Sequence, residues 1–126
     1  MLHFDVEPRV GYLYVTATGE LDVAGAEAAL AGMFAAAAQA RQPRILLDCS
    51  RLTGTWGADE RYTIGSFIAT EMERRASQFP ARPQLAIYAI APLMDPNRYT
   101  QTVATNRGAQ VRASDSLQEL LSWLGV

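Results

Sequence analysis

Apolar and polar residues alternate from Leu2 to Glu7, the period of a strand with one face buried. Pro8-Arg9 breaks the alternation. Val10 to Thr18 resumes it with tyrosine, valine and threonine, residues suited to a pleated surface. The two runs predict an opening hairpin. Gly19 ends the second run, and Asp22 stands where a helix N-cap belongs. The period then changes. Ala26, Leu30, Met33, Phe34 and Ala37 recur at helical spacing and predict one buried face, with Pro43 closing the segment. Arg44 to Cys49 is a short apolar run, the pattern of a strand covered on both faces. A polar, glycine-containing loop is expected from Ser50 to Gly57.

A second helix is predicted from Ala58 or Asp59 to Gln78, with Ile64, Phe67, Ile68, Met72 and Ala76 as its apolar stripe. Pro80 and Pro83 bound its exit, and Gln84 to Ile90 reads as another buried strand. Asp95-Pro96 predicts an N-cap with proline at the first helical position of a third helix, which runs to Arg107. Gly108 then sits where a left-handed C-cap belongs. Ala109 to Ala113 is a last strand. Ser114, Asp115 or Ser116 caps a final helix ending at Gly125, and Ser116 with Glu119 suits a capping box. The order β-β-α-β-α-β-α-β-α predicts an α/β fold with right-handed crossovers and a mixed, mostly parallel sheet edged by the hairpin. No repeat, low-complexity run or linker divides the chain, so one domain is expected over residues 1–126.

Ile45-Leu46-Leu47-Asp48-Cys49-Ser50-Arg51-Leu52 sets an apolar triplet, an aspartate and a small polar turn in a row. With the element order, it resembles the central strand of the STAS domain, the SpoIIAA-like fold of bacterial anti-sigma-factor antagonists. Asp95 to Tyr99, Thr102 to Gly108, Val111-Arg112 and Leu121 to Leu124 are similar to small bacterial STAS-like proteins. The resemblance implies a single-domain STAS-like (SpoIIAA-like) sandwich and a non-enzymatic regulatory or binding role exercised on a protein partner. It also touches the SEC14-like architecture, which implies a small-molecule or lipid carrier as an alternative. One departure stands out. Phosphorylatable members carry a serine where the loop meets the second helix; this chain has Trp56-Gly57-Ala58-Asp59 there, and Thr53 and Thr55 are out of register.

Composition narrows the rest. The chain has 126 residues, 49% hydrophobic and 19% charged, enough to bury a core without staples. Its eleven basic residues, all arginine, against thirteen acidic ones give a net charge of −2, which argues against nucleic acid as the main partner. One cysteine excludes an internal disulfide and one histidine excludes a multi-histidine zinc site, so no metal or cofactor is implied. The start of the chain has no signal-peptide pattern, and the alanine-rich run from Ala28 to Ala40 is flanked by Glu27 and Arg41. Neither reaches the ~20 apolar residues of a membrane span. A cytoplasmic protein without integral membrane association is expected.

Candidate chemistry gathers where the central strand ends, since ligands of open α/β sheets collect at the carboxyl ends of strands. Asp48 either orients a ligand hydroxyl or an arginine, or caps its own loop through the amides of Ser50 and Arg51. Cys49 is either a thiolate beside Arg51 or a buried structural thiol. Thr53-Gly54-Thr55-Trp56-Gly57 offers either a binding surface centred on Trp56 or a lid over the core, and it lacks the lysine of a phosphate cradle. Arg98, expected to share a face of the third helix with Asn106, and Arg107 near its end either contact an anion or partner or complete a helix stop. Glu71 with Arg74 and Arg75 reads as a solvated, ion-paired face, not as catalytic carboxylates. The expectation is a module that binds through Ser50 to Asp59 and the start of the second helix. An enzyme using Asp48, Cys49 or Asp59 ranks last, and a homodimer stays open.

Overall fold

Gly11, at φ 87°, reverses the chain between β1 (His3–Arg9) and β2 (Tyr12–Glu20), and the expected hairpin forms. The computed structural model describes residues 2–126; Met1, the first residue of the expected domain, lies outside them. The remaining elements are α1 (Val23–Gln39), β3 (Arg44–Thr53), α2 (Ala58–Arg75), β4 (Gln84–Tyr88), α3 (Tyr99–Asn106), β5 (Gln110–Ser114) and α4 (Leu117–Leu124). The sheet order is β1-β2-β3-β4-β5. The hairpin is antiparallel and every later pair is parallel.

Each parallel crossover steps one strand further in the same direction. Right-handed connections therefore drop α1, α2 and α3 on one face of the sheet. Their buried residues form a single cluster with Leu13, Val15, Ile45, Leu47 and Cys49. Helix α4 follows the last strand and covers the other face, where Leu120 and Leu124 pack on Leu46 and Ala86. The Ile45-Leu46-Leu47 triplet is apolar throughout because both sides of β3 are covered. Helix α1 buries the expected five residues, Asp22 accepting from the Gly25 amide at its start. Met33 and Phe34 are at most 1% exposed. Complete burial of side chains this size is worth roughly 1.5–3 kcal/mol each.

Several boundaries depart from expectation. β1 continues through Pro8 and Arg9, with Pro8 opposite Leu13, because an edge strand needs no outward N–H. β3 runs on to Thr53, so Ser50 to Thr53 are strand residues, not loop, and Arg51 to Thr53 pair with the end of β2. β4 stops at Tyr88 and β5 is shifted one residue to Gln110–Ser114. Helix α2 ends at Arg75 and tightens into a 3-10 turn (Ala76–Gln78), leaving Ala76 exposed. In its place, Arg61, Gly65, Ala69 and Glu71 are buried, because α2 lies between α1 and α3 and needs a wide contact arc. Glu71 is thus not solvated: it is 5% exposed and receives Arg74 at 2.5 Å and Arg75 at 3.2 Å. Ser116 does cap α4 by accepting from the Glu119 amide at 3.2 Å, but the box is not reciprocal. Glu119 turns to Arg112 and Ser114 instead.

Candidate functional site

Successive residues of a strand point to opposite faces, and this divides the residues that the sequence places side by side. Asp48 faces the α4 side. The Tyr14 hydroxyl donates to its Oδ2 at 2.6 Å, and its Oδ1 accepts from the Ser50 amide at 2.9 Å and the Ser50 hydroxyl at 2.7 Å. The loop-cap role expected of Asp48 thus rests on Ser50, with Tyr14 in place of the Arg51 amide. Burial opposes ionisation, but the bonds from Tyr14 and Ser50 outweigh it and hold the carboxyl below its ordinary value. Cys49 faces the other way, into the α1–α2 layer. Burial, helped by the Asp48 charge, pushes its thiol up to about 12, which removes the thiolate reading.

β3 gains one extra residue against β2 between the Thr16–Asp48 and Thr18–Arg51 pairs. A bulge of this kind shifts the side-chain parity of the strand. Cys49 and Leu52, three apart, consequently line the same space. That space is a cavity of about 70 Å³ between the sheet and the helical layer, at the carboxyl ends of the parallel strands. Leu30, Leu47, Ile64, Ile68 and Ile87 form apolar walls, and Trp56 closes one side. The indole Nε1 of Trp56 is buried with no hydrogen-bond partner among the described residues.

Arg61 organises the mouth. It is 8% exposed, on the first turns of α2. Its Nε donates to the Trp56 carbonyl at 3.1 Å, and its Nη1 to the Leu93 carbonyl at 2.7 Å and to Asp95 Oδ1 at 3.3 Å. One guanidinium therefore ties the β3–α2 connection to the β4–α3 connection. Asp95 also accepts from the Tyr99 amide, at 3.1 Å through Oδ1. It caps α3 from four residues away: the intervening turn delays the helix to Tyr99, and Arg98, at φ 49° and ψ 51°, is the N-cap residue. Arg98 is accordingly not a helix-face partner of Asn106; it lines the cavity. The spacing of Arg61 with Ile64 and Ile68 was the available signal, since it places a charge on the apolar stripe of α2.

The remaining candidates are dispersed. Thr53 donates to the Gly19 carbonyl at 3.2 Å and Thr55 to the Pro92 carbonyl at 3.3 Å, both holding the connection in shape. Asp59 is exposed in the first turn of α2, whose N-cap is Gly57; Glu60 closes the start by accepting from the Gly57 amide at 2.8 Å. Arg107 lies at the opposite end of α3, its guanidinium 2.7 Å from the Tyr62 hydroxyl and over that ring. Gly108 does adopt the left-handed cap, at φ 92°. Among the described residues no group of three or more His, Cys, Asp or Glu side chains is placed to hold a metal ion, and no helix is long and apolar enough to cross a membrane.

This architecture matches that of an anti-sigma factor antagonist from Mycobacterium paratuberculosis, with a TM-score of 0.65 over 100% of this chain and 96% of that one, at 17% sequence identity. The fold is that of a STAS domain. A Shewanella loihica PV-4 protein of the DUF3478 family, described as having a SpoIIAA-like fold, matches at a TM-score of 0.53, covering 98% of this chain and 93% of that chain with 18% identity. No family model matches the chain, and no curated protein matches its sequence. Within this STAS-like fold, the cavity and the Thr53–Asp59 connection stand at the same edge of the sheet.

Proposed function

We propose that the chain is a non-enzymatic, cytoplasmic regulatory module that binds a protein partner through Thr53 to Asp59 and the first turn of α2. The observation that carries this reading is the exposure of that segment on a STAS-like fold. Thr53, Gly54, Thr55, Gly57, Ala58, Asp59 and Glu60 are all exposed in succession, while Trp56 alone turns inward. The segment is held from beneath by Arg61, so its shape is fixed before a partner arrives, which lowers the ordering cost of association. Asp59 and Glu60 give it an acidic edge that suits a basic partner surface. The N-cap and first three helical residues are Gly57, Ala58, Asp59 and Glu60, none of which carries a hydroxyl. Partner exchange is therefore assigned to binding itself and not to phosphorylation at the helix start.

A photo-crosslinking residue at position 59, expressed in the native host, tests the reading. The expected result is one defined heteromeric product that disappears in Trp56→Ala and weakens in Glu60→Arg. Crosslinked products unchanged by either substitution would overturn it. A product of twice the chain mass would reassign the surface to self-association.

A further inference from the structure

A second, larger cavity of about 260 Å³ lies between the carboxyl end of α2 and the turn from α3 into β5. It opens at the amino ends of β4 and β5, the sheet edge opposite the Thr53–Asp59 connection. Ala69, Met72, Pro83 and Ala109 give it apolar walls. Three charged side chains, Glu73, Arg82 and Arg107, line the same space. Tertiary contacts hold both cations. Arg82 Nη2 donates to the Gly108 carbonyl, and Arg107 Nη2 lies 2.7 Å from the Tyr62 hydroxyl with its guanidinium over that ring. Nε and Nη1 of each arginine meet no acceptor among the described residues. Neither arginine, nor Glu73, belongs to an ion pair among the described residues. Gln110 also lines the cavity, but its amide is spent on the Pro83 carbonyl at 3.4 Å.

We infer that this cavity binds a free α-amino acid with a small apolar side chain. Arg82 and Arg107 take its carboxylate, Glu73 takes its ammonium group, and the side chain rests on Ala69, Met72 and Pro83. The balance of charge selects a zwitterion. A simple anion would gain two guanidiniums but meet Glu73 and the partial negative charge at the carboxyl end of α3. A simple cation would meet the two arginines. A ligand with both charges uses every free polar group of the cavity, each through a charge-assisted hydrogen bond. Size points the same way. About 260 Å³ falls just below the range of roughly 300–1,000 Å³ for drug-sized ligands, which suits a molecule of about eight non-hydrogen atoms. The site does not depend on the partner reading and is tested without a partner.

L-Valine, isovalerate and isobutylamine share one branched body and differ only in carrying both charges, the carboxylate alone or the ammonium alone. Each is titrated into the isotope-labelled protein and followed by NMR shifts. Valine is expected to give saturable shifts at Glu73, Gly108, Ala109 and the Arg82 and Arg107 side chains. The other two are expected to bind at least about tenfold more weakly, as loss of charge-assisted hydrogen bonds requires. Glu73, Arg82 and Arg107 are exposed, so their substitution by glutamine should leave the melting temperature near that of the parent. Arg82→Gln and Arg107→Gln are each expected to lose about tenfold in valine affinity. Glu73→Gln is the sharper test: it should weaken valine and strengthen isovalerate, a reversal that a general disturbance of the cavity would not produce. Valine shifts that do not saturate, isovalerate bound as tightly as valine, isovalerate weakened together with valine in Glu73→Gln, or shifts centred on Trp56 and Thr100 would each overturn the proposal.

Discussion

Tyr14 and Asp48 sit on adjacent parallel strands, and the phenol of the first donates a 2.6 Å hydrogen bond to the carboxylate of the second. Arg9 lies over the Tyr14 ring, 4.6 Å from its centre, so an edge-strand cation, an aromatic ring and a 7%-exposed carboxylate form one row across the sheet face. Tyr14→Phe leaves the apolar contacts in place and removes the donor. At neutral pH the loss is expected to cost about 1.5–3 kcal/mol, the range for hydrogen bonds to charged groups, read from urea unfolding midpoints. At a pH where Asp48 is protonated the difference between the two proteins should shrink; an undiminished difference would place the effect in packing.

Asp48 and Glu71 both have carboxyls held below their ordinary values of 3.8 and 4.5. Burial raises both, and in Glu71 the hydrogen bonds and charges of Arg74 and Arg75 outweigh it. A carboxyl whose folded value is depressed binds its proton less tightly than in the unfolded chain. Its contribution is present above the unfolded value and is lost as pH falls through the folded one. Stability is therefore expected to be flat near neutrality and to fall below about pH 4.5. Glu71→Gln should flatten part of that acid limb and cost about 1–2 kcal/mol at pH 7, since Arg74 remains largely in water. Chemical denaturation from pH 7 to pH 2.5 measures both.

Tyr14 moves in the opposite sense. Its bond to Asp48 comes first among the causes that raise it above 10.0. A raised folded value means the stabilisation is complete below the unfolded value and lost as pH climbs through the folded one. Tyr14→Phe should thus reduce the alkaline loss of stability above pH 10, measured by urea unfolding across that range.

Gly65 lies where α2 meets α3. A Cβ there would be 2.8 Å from the Thr100 carbonyl oxygen and 2.9 Å from Val103 Cβ, both too close. Gly65→Ala raises helix propensity yet is expected to destabilise by about 1–3 kcal/mol through overpacking. A gain in melting temperature would show that the two helices are free to separate.

Cys49 is 8% exposed with its thiol pushed up to about 12. At pH 8 a thiol reagent should modify it only as fast as the chain opens, and rapidly in urea. Fast modification of the folded protein would place the thiol at an accessible cavity mouth.

Much of the candidate site was hidden by sequence adjacency. Asp48 and Cys49 look like one cluster and belong to opposite faces, because a strand alternates. Arg61 and Asp95 are 34 positions apart and join only through the folded mouth. Asp95-Pro96 carries a genuine cap signal, and Asp95 does bind a helix amide, but that of Tyr99. A turn between them moved the helix start, and no local propensity encodes it.

The sequence by itself determined the order of strands and helices and the five buried positions of α1, since periods of two and of 3.6 residues are local properties of the chain. It also determined the antiparallel edge and the absence of a hydroxyl at the start of α2. Tertiary structure alone decided the rest. Same-direction crossovers put three helices on one face; a bulge in β3 brought Cys49 and Leu52 to one wall; and packing between α1 and α3 buried Arg61 and Glu71. Those outcomes depend on which surfaces meet after the chain has crossed the sheet, and such contacts leave no period in the sequence to be read.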